Sequence, residues 1–100
     1  VTYLYRIPHS NVNIQASTHG GALISLIDVA TTISILKVTS SRTTSVSLGA
    51  EFLAASKVDD ELKIETTIKK AGKNIIFTSC DMFVGEKLVC SGNHIKAVLK

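Results

Sequence analysis

The stretch HGGALISLIDVATTISILKV, residues 19 to 38, decides how the rest of the chain can fold. Between Ala22 and Leu36 it carries one charge, Asp28, near its centre, and Thr39-Ser40-Ser41 break the apolar run. Those fifteen residues fall short of the ~20 a membrane-spanning helix needs, and a carboxylate at mid-bilayer costs about 2.5 to 3.5 kcal/mol. No stable membrane insertion is therefore expected. The run reads instead as part of a buried core helix ending near Val38, about 27 Å long from Gly21 at ~1.5 Å per residue. Being apolar nearly all round, it must be covered on most sides.

Outward from this helix the hydrophobic period changes to two. Upstream, Val1, Tyr3, Tyr5 and Ile7 predict a strand ended by Pro8, followed by a polar loop from His9 to Thr18. Downstream, Val46, Leu48, Ala50 and Phe52 alternate with Ser45, Ser47, Gly49 and Glu51 as in a half-buried strand. Leu62, Ile64, Thr66 and Ile68 alternate more regularly with Glu61, Lys63, Glu65, Thr67 and Lys69. A turn at Lys70-Ala71-Gly72-Lys73-Asn74 leads to a strand from Ile75 to Val84, and Gly85-Glu86-Lys87 turns into a last strand from Leu88 to Leu99. The predicted order is strand, loop, long helix, four strands. This is an α+β fold, with a curved antiparallel sheet wrapped around the helix.

Composition agrees with one domain spanning 1–100: 45% of the 100 residues are apolar and 5% aromatic, so the core must be aliphatic. Such a chain buries roughly 65% of its unfolded surface, which makes self-association an expected source of further stability. The net charge of +3 is too mild to define a nucleic-acid binder, and five aromatics give little platform for base stacking. Cys80 and Cys90 have no metal-site spacing and read as reduced, strand-packed thiols, consistent with a cytoplasmic or mitochondrial compartment. No metal site is expected. The chain opens on Val1 with a strand pattern at once and no cationic leader, as a trimmed piece of a longer polypeptide would.

Asp28 is the chemical anomaly. A carboxylate in an apolar helix requires hydrogen bonds, a water-filled pocket or both. Gly21, Ser25, Asp28 and Thr32 recur at intervals of four, three and four, forming one stripe that reads as a cleft wall; a structural Asp bonding a neighbouring loop is the alternative. His19-Gly20-Gly21 stands at the helix start, where unpaired N–H groups can hold an anion or oxyanion, or where the glycines simply allow a tight turn. There is no G-x-S-x-G, H-E-x-x-H, P-loop or G-x-G-x-x-G sequence, which removes the commonest hydrolase, metalloprotease and nucleotide readings and leaves an acid acting on water among those still open.

The HGG tripeptide with Asp nine residues after its His, the strand TTSVSLGAEFL, the hairpin IKKAGKNIIFTSCDMF and the closing SGNHIK strand together resemble the hotdog-fold thioesterases. The closest resemblance is to the branch of thioesterase superfamily member 2 and acyl-CoA thioesterase 13, related to the phenylacetate-pathway thioesterases. It spans essentially the whole chain. The helical segment that family members carry before the first strand is missing here, as is a Pro after the Ser-bearing strand, where Ala54-Ala55-Ser56 stand instead.

The resemblance implies hydrolysis of medium- or long-chain acyl-CoA to free acid and coenzyme A, with no cofactor beyond the coenzyme A of the substrate. It implies a catalytic carboxylate at Asp28, as general base or nucleophile, and a carbonyl-polarising N–H at Gly20, supported by Asn13. Ser45 would position water, with Ser47, expected to face the same way, as its rival. Substrate contacts would come from His19, Gly21, Phe52, Lys57, Lys70, Gly72, Lys73, Asn74 and Lys96, although solvated lysines explain the cations equally well. His19 and His94 themselves read as structural. A homodimer with antiparallel helices, assembling to a homotetramer, would place Gly20 and Asn13 of one chain beside Asp28 of another. The alternative function is an acyl-CoA or acyl-chain binding protein without turnover.

Overall fold

The computed structural model describes residues 2–6, 20–54 and 60–99. Five strands and one helix follow in the order β1 (Thr2–Arg6), α1 (Gly20–Leu36), β2 (Thr43–Phe52), β3 (Glu61–Ala71), β4 (Ile75–Val84) and β5 (Lys87–Val98). They make a single antiparallel sheet, β1-β3-β4-β5-β2, with α1 lying across one face. The meander β3-β4-β5 follows the two turn signals, and the bounds of β4 coincide with those the alternation predicts. Among the described residues no helix is long and apolar enough to cross a membrane.

Helix α1 is rich in β-branched residues, which lose side-chain freedom in a helix, so tertiary packing must hold it. Leu23, Ile27, Ala30 and Ile35 are buried, the first three in one cluster with Leu62, Ile64, Cys80, Met82, Val89 and Cys90. Ile27 is wholly enclosed; truncating such a side chain to Ala costs about 2 to 5 kcal/mol. Gly92 lets the helix approach the sheet closely: a Cβ there would lie 2.6 Å from Ile27 Cδ1 and 3.0 Å from the Gly49 carbonyl oxygen. The helix ends as Val38 N–H and Thr39 N–H both donate to the Ile35 carbonyl, at 3.0 and 3.1 Å.

The helix lies on the antiparallel sheet as expected, with Ile24, Val29, Ile33 and Leu36 left exposed on its other side. One expectation changes. Strand β2 does not alternate cleanly, because a bulge lies between Ser45 and Ser47. A bulge inserts one unpaired residue and reverses the facing of everything beyond it. Val46, expected to pack, is 59% exposed for that reason. Both cysteines are buried and free, and burial pushes the Cys80 thiol up to about 12, so it is held as an unreactive thiol.

Candidate active site

Three elements converge beside the middle of α1. The helix contributes Asp28, Val29, Thr32 and Ile33, β2 contributes Thr43, Thr44 and Ser45, and β5 contributes Lys96; together they line a cleft of about 490 Å³. Asp28 meets the requirement for a helical carboxylate in both ways. Its side chain is 52% exposed to the cleft, and Oδ1 accepts the Thr32 hydroxyl at 3.4 Å.

Under the cleft floor lies His94 on β5, with no exposed surface. Its Nδ1 is 2.7 Å from Thr31 Oγ1 and its Nε2 is 2.8 Å from Ser45 Oγ. Giving the single Thr31 hydroxyl proton to the Ile27 carbonyl, 2.7 Å away, assigns the imidazole proton to Nδ1, from which Thr31 Oγ1 accepts. Nε2 is then bare and accepts the Ser45 hydroxyl. That orientation turns the lone pairs of Ser45 toward the cleft, where they can accept a hydrogen bond from water. Burial holds the His94 pKa below its usual value against the opposing pull of Asp28, whose Oδ1 is 3.9 Å from Nδ1; the charge on Lys96 adds to the lowering.

This buried neutral imidazole has a consequence for stability. The unfolded chain binds a proton at His94 below about pH 6.5, whereas the folded chain resists it until lower pH. Stability from this group is complete above that value and is lost as pH falls below it. Thermal melts between pH 7.5 and 5 are expected to show a declining midpoint for the wild type. The slope should be shallower for His94→Asn, whose midpoint should be lower at pH 7.5; parallel slopes would refute the assignment.

Of the residues expected at the site, the structure brings together Asp28, Ser45 and Lys96. Ser47 is a correction: it pairs with Ile95, whereas Ser45 pairs with the buried Lys96, so the bulge puts the two serines on opposite faces. Phe52 pairs with Cys90 and lies seven residues along β2 from Ser45, about 23 Å at ~3.3 Å per residue. It does not line the cleft. Lys70, Gly72, Lys73 and Asn74 are exposed around the β3–β4 turn, where Gly72 N–H donates to the Ile75 carbonyl at 2.9 Å. Asn74 accepts Val98 N–H, which sets this turn at the end of the sheet where β2 begins. Gly20 and Gly21 open α1, but Gly20 is eight residues from Asp28, about 12 Å along the axis. Asn13, His19 and Lys57 lie outside the described residues. Sequence reasoning missed Thr31 and gave His94 no part in the site. Their signal is the inward parity of Gly92, His94 and Lys96 on β5, which puts two titratable groups under the helix.

A carboxylate and a serine hydroxyl thus share one cleft at the edge of a helix laid on an antiparallel sheet, the arrangement of a hotdog fold. The chain belongs to the thioesterase superfamily, whose family model matches residues 15–91. It is 30% identical over 93% of its length to a Caenorhabditis elegans protein that carries an esterase name, F42H10.6, and spans 57% of that protein. It is 26% identical over 91% of its length to human acyl-coenzyme A thioesterase 13, spanning 67% of it. Among solved structures, a Streptococcus pneumoniae thioesterase protein with coenzyme A superposes with a TM-score of 0.94 at 22% identity, over 99% of this chain and 77% of that one.

Proposed function

We propose that this chain hydrolyses acyl-CoA thioesters to the free acid and coenzyme A, with Asp28 as general base. The observation that carries the reading is that Asp28 and Ser45 line one cleft, with Ser45 Oγ 2.8 Å from His94 Nε2; with its proton given to His94, Ser45 would join Asp28 in accepting from a water there. The water oxygen attacks the thioester carbonyl carbon while Asp28 takes its proton. Collapse of the tetrahedral intermediate breaks the C–S bond, and the proton on Asp28 passes to the departing sulfur. The oxyanion needs fixed donors, and the N–H at Gly20, at the positive end of α1, has the right chemistry. With some 12 Å of helix between Gly20 and Asp28, that donor and the Asn13 amide would come from a partner subunit.

A dimer with antiparallel helices accounts for the exposed Ile24, Val29, Ile33 and Leu36, which a partner's helix would cover. Assembly to a homotetramer belongs to the same reading. The human relative is named for acyl-CoA hydrolysis and the pneumococcal neighbour was solved with coenzyme A, which favours that substrate class. Coenzyme A phosphates would meet the exposed Lys70 and Lys73 around the β3–β4 turn. Release of free thiol from a series of saturated acyl-CoAs, from four to sixteen carbons, tests the function. Turnover is expected to favour the medium and long chains. Tight binding by calorimetry with no thiol released across the series would replace it with the non-catalytic binding protein.

A further inference from the structure

Lys96 is 6% exposed, and its Nζ donates to Thr32 Oγ1 at 3.1 Å. Among the described residues it makes no ion pair within 4.0 Å. A buried ammonium with a neutral hydroxyl as its hydrogen-bond partner requires a nearby negative charge, and the hydroxyl it touches leads to one. An ammonium only donates, so Thr32 accepts from Lys96 and gives its own proton to Asp28 Oδ1, 3.4 Å away. The hydrogen bonds thus run in one direction, from Lys96 through Thr32 to Asp28, all three lining one cleft.

We infer that Lys96 is a positioning residue for Asp28: through the Thr32 hydroxyl it fixes the carboxylate with Oδ1 engaged and Oδ2 left for water. This rests on the reading of Asp28 as the base. Among the described residues, the titratable or charged groups facing Asp28 are His94 and Lys96, both on β5, while β2 presents only the uncharged Thr43, Thr44 and Ser45 and α1 adds Thr32. With His94 neutral, Lys96 supplies the positive charge. The placement also argues against Lys96 as a contact for coenzyme A phosphates, which need a solvated cation, whereas Lys96 lies beneath the helix.

The test is the split between kcat and KM for the full chain on its best acyl-CoA, comparing wild type, Lys96→Met, Lys96→Arg and Asp28→Asn. Lys96→Met is expected to lower kcat by about tenfold with KM little changed, and Lys96→Arg to restore it. An unchanged kcat in Lys96→Met overturns the inference, and so does a rise in KM alone that deepens with salt, which would mark a phosphate contact. If Lys96→Met does not fold, Thr32→Val severs the bridge and should lower kcat by about threefold, again with KM little changed; no change there is equally fatal. Full activity in Asp28→Asn would instead remove the base assignment, whereas an inactive Asp28→Asn with an unchanged kcat in Lys96→Met removes only the role of Lys96.

Discussion

Asp28→Asn is expected to lower thiol release from acyl-CoA by about 10³-fold, with only a modest fall in the melting temperature. The substitution keeps the shape of the side chain and an oxygen for the Thr32 hydroxyl, so the cleft is retained. It loses the ability to take a proton from water, a step for which a positioned base contributes roughly 10² to 10⁴. The carboxylate itself is half exposed, but the buried Lys96 ammonium loses the negative charge nearest to it and keeps its hydrogen bond to Thr32, so the cost to the fold is modest. Equal rates in the two proteins would take Asp28 out of the mechanism. A single turnover in ¹⁸O-water separates its two roles. A base leaves the label only in the released acid, whereas a nucleophile that forms an anhydride with the acyl group also leaves label in Asp28, measurable on its peptide.

How far the site could be read from sequence followed the geometry that each residue depends on. Asp28 was legible because a lone carboxylate in an apolar helix demands an explanation on its own element. The strands were legible because alternation is local, as β3 shows with Leu62, Ile64 and Thr66 buried between more exposed neighbours. Ser45 and Ser47 could not be separated in this way. A period of two puts both on one face, and only pairing with β5 shows the extra residue that reverses Ser47. His94 failed for a related reason: its two hydrogen bonds go to residues 63 and 49 positions away, on two other elements. Thr31 was hidden by its own back-bond to the Ile27 carbonyl, which satisfies a helical threonine and removes any local oddity. What sequence did offer was parity: Lys96 and His94 alternate with Gly92 on the side of β5 that packs beneath the helix, and a buried lysine is rare enough to mark.

The distance along α1 makes the second large effect a matter of subunits. Gly20 is the first helical residue, a position where Pro is tolerated because the helix makes no use of that N–H. Gly20→Pro therefore removes the proposed oxyanion donor with little cost to the helix, and a drop of about 10² to 10³ in kcat is expected. Asp28→Asn and Gly20→Pro are then each nearly inactive alone. If every site takes Asp28 from one chain and Gly20 from the other, a mixed dimer holds one site with both lesions and one with neither. Random pairing on co-expression makes half of the dimers mixed, so activity should return to about one quarter of wild type. A site built within one chain predicts no return, because every chain in the mixture carries a lesion. Purification through two different tags raises the expectation to about one half, and a mixed dimer isolated in this way with no activity would confine the site to a single subunit.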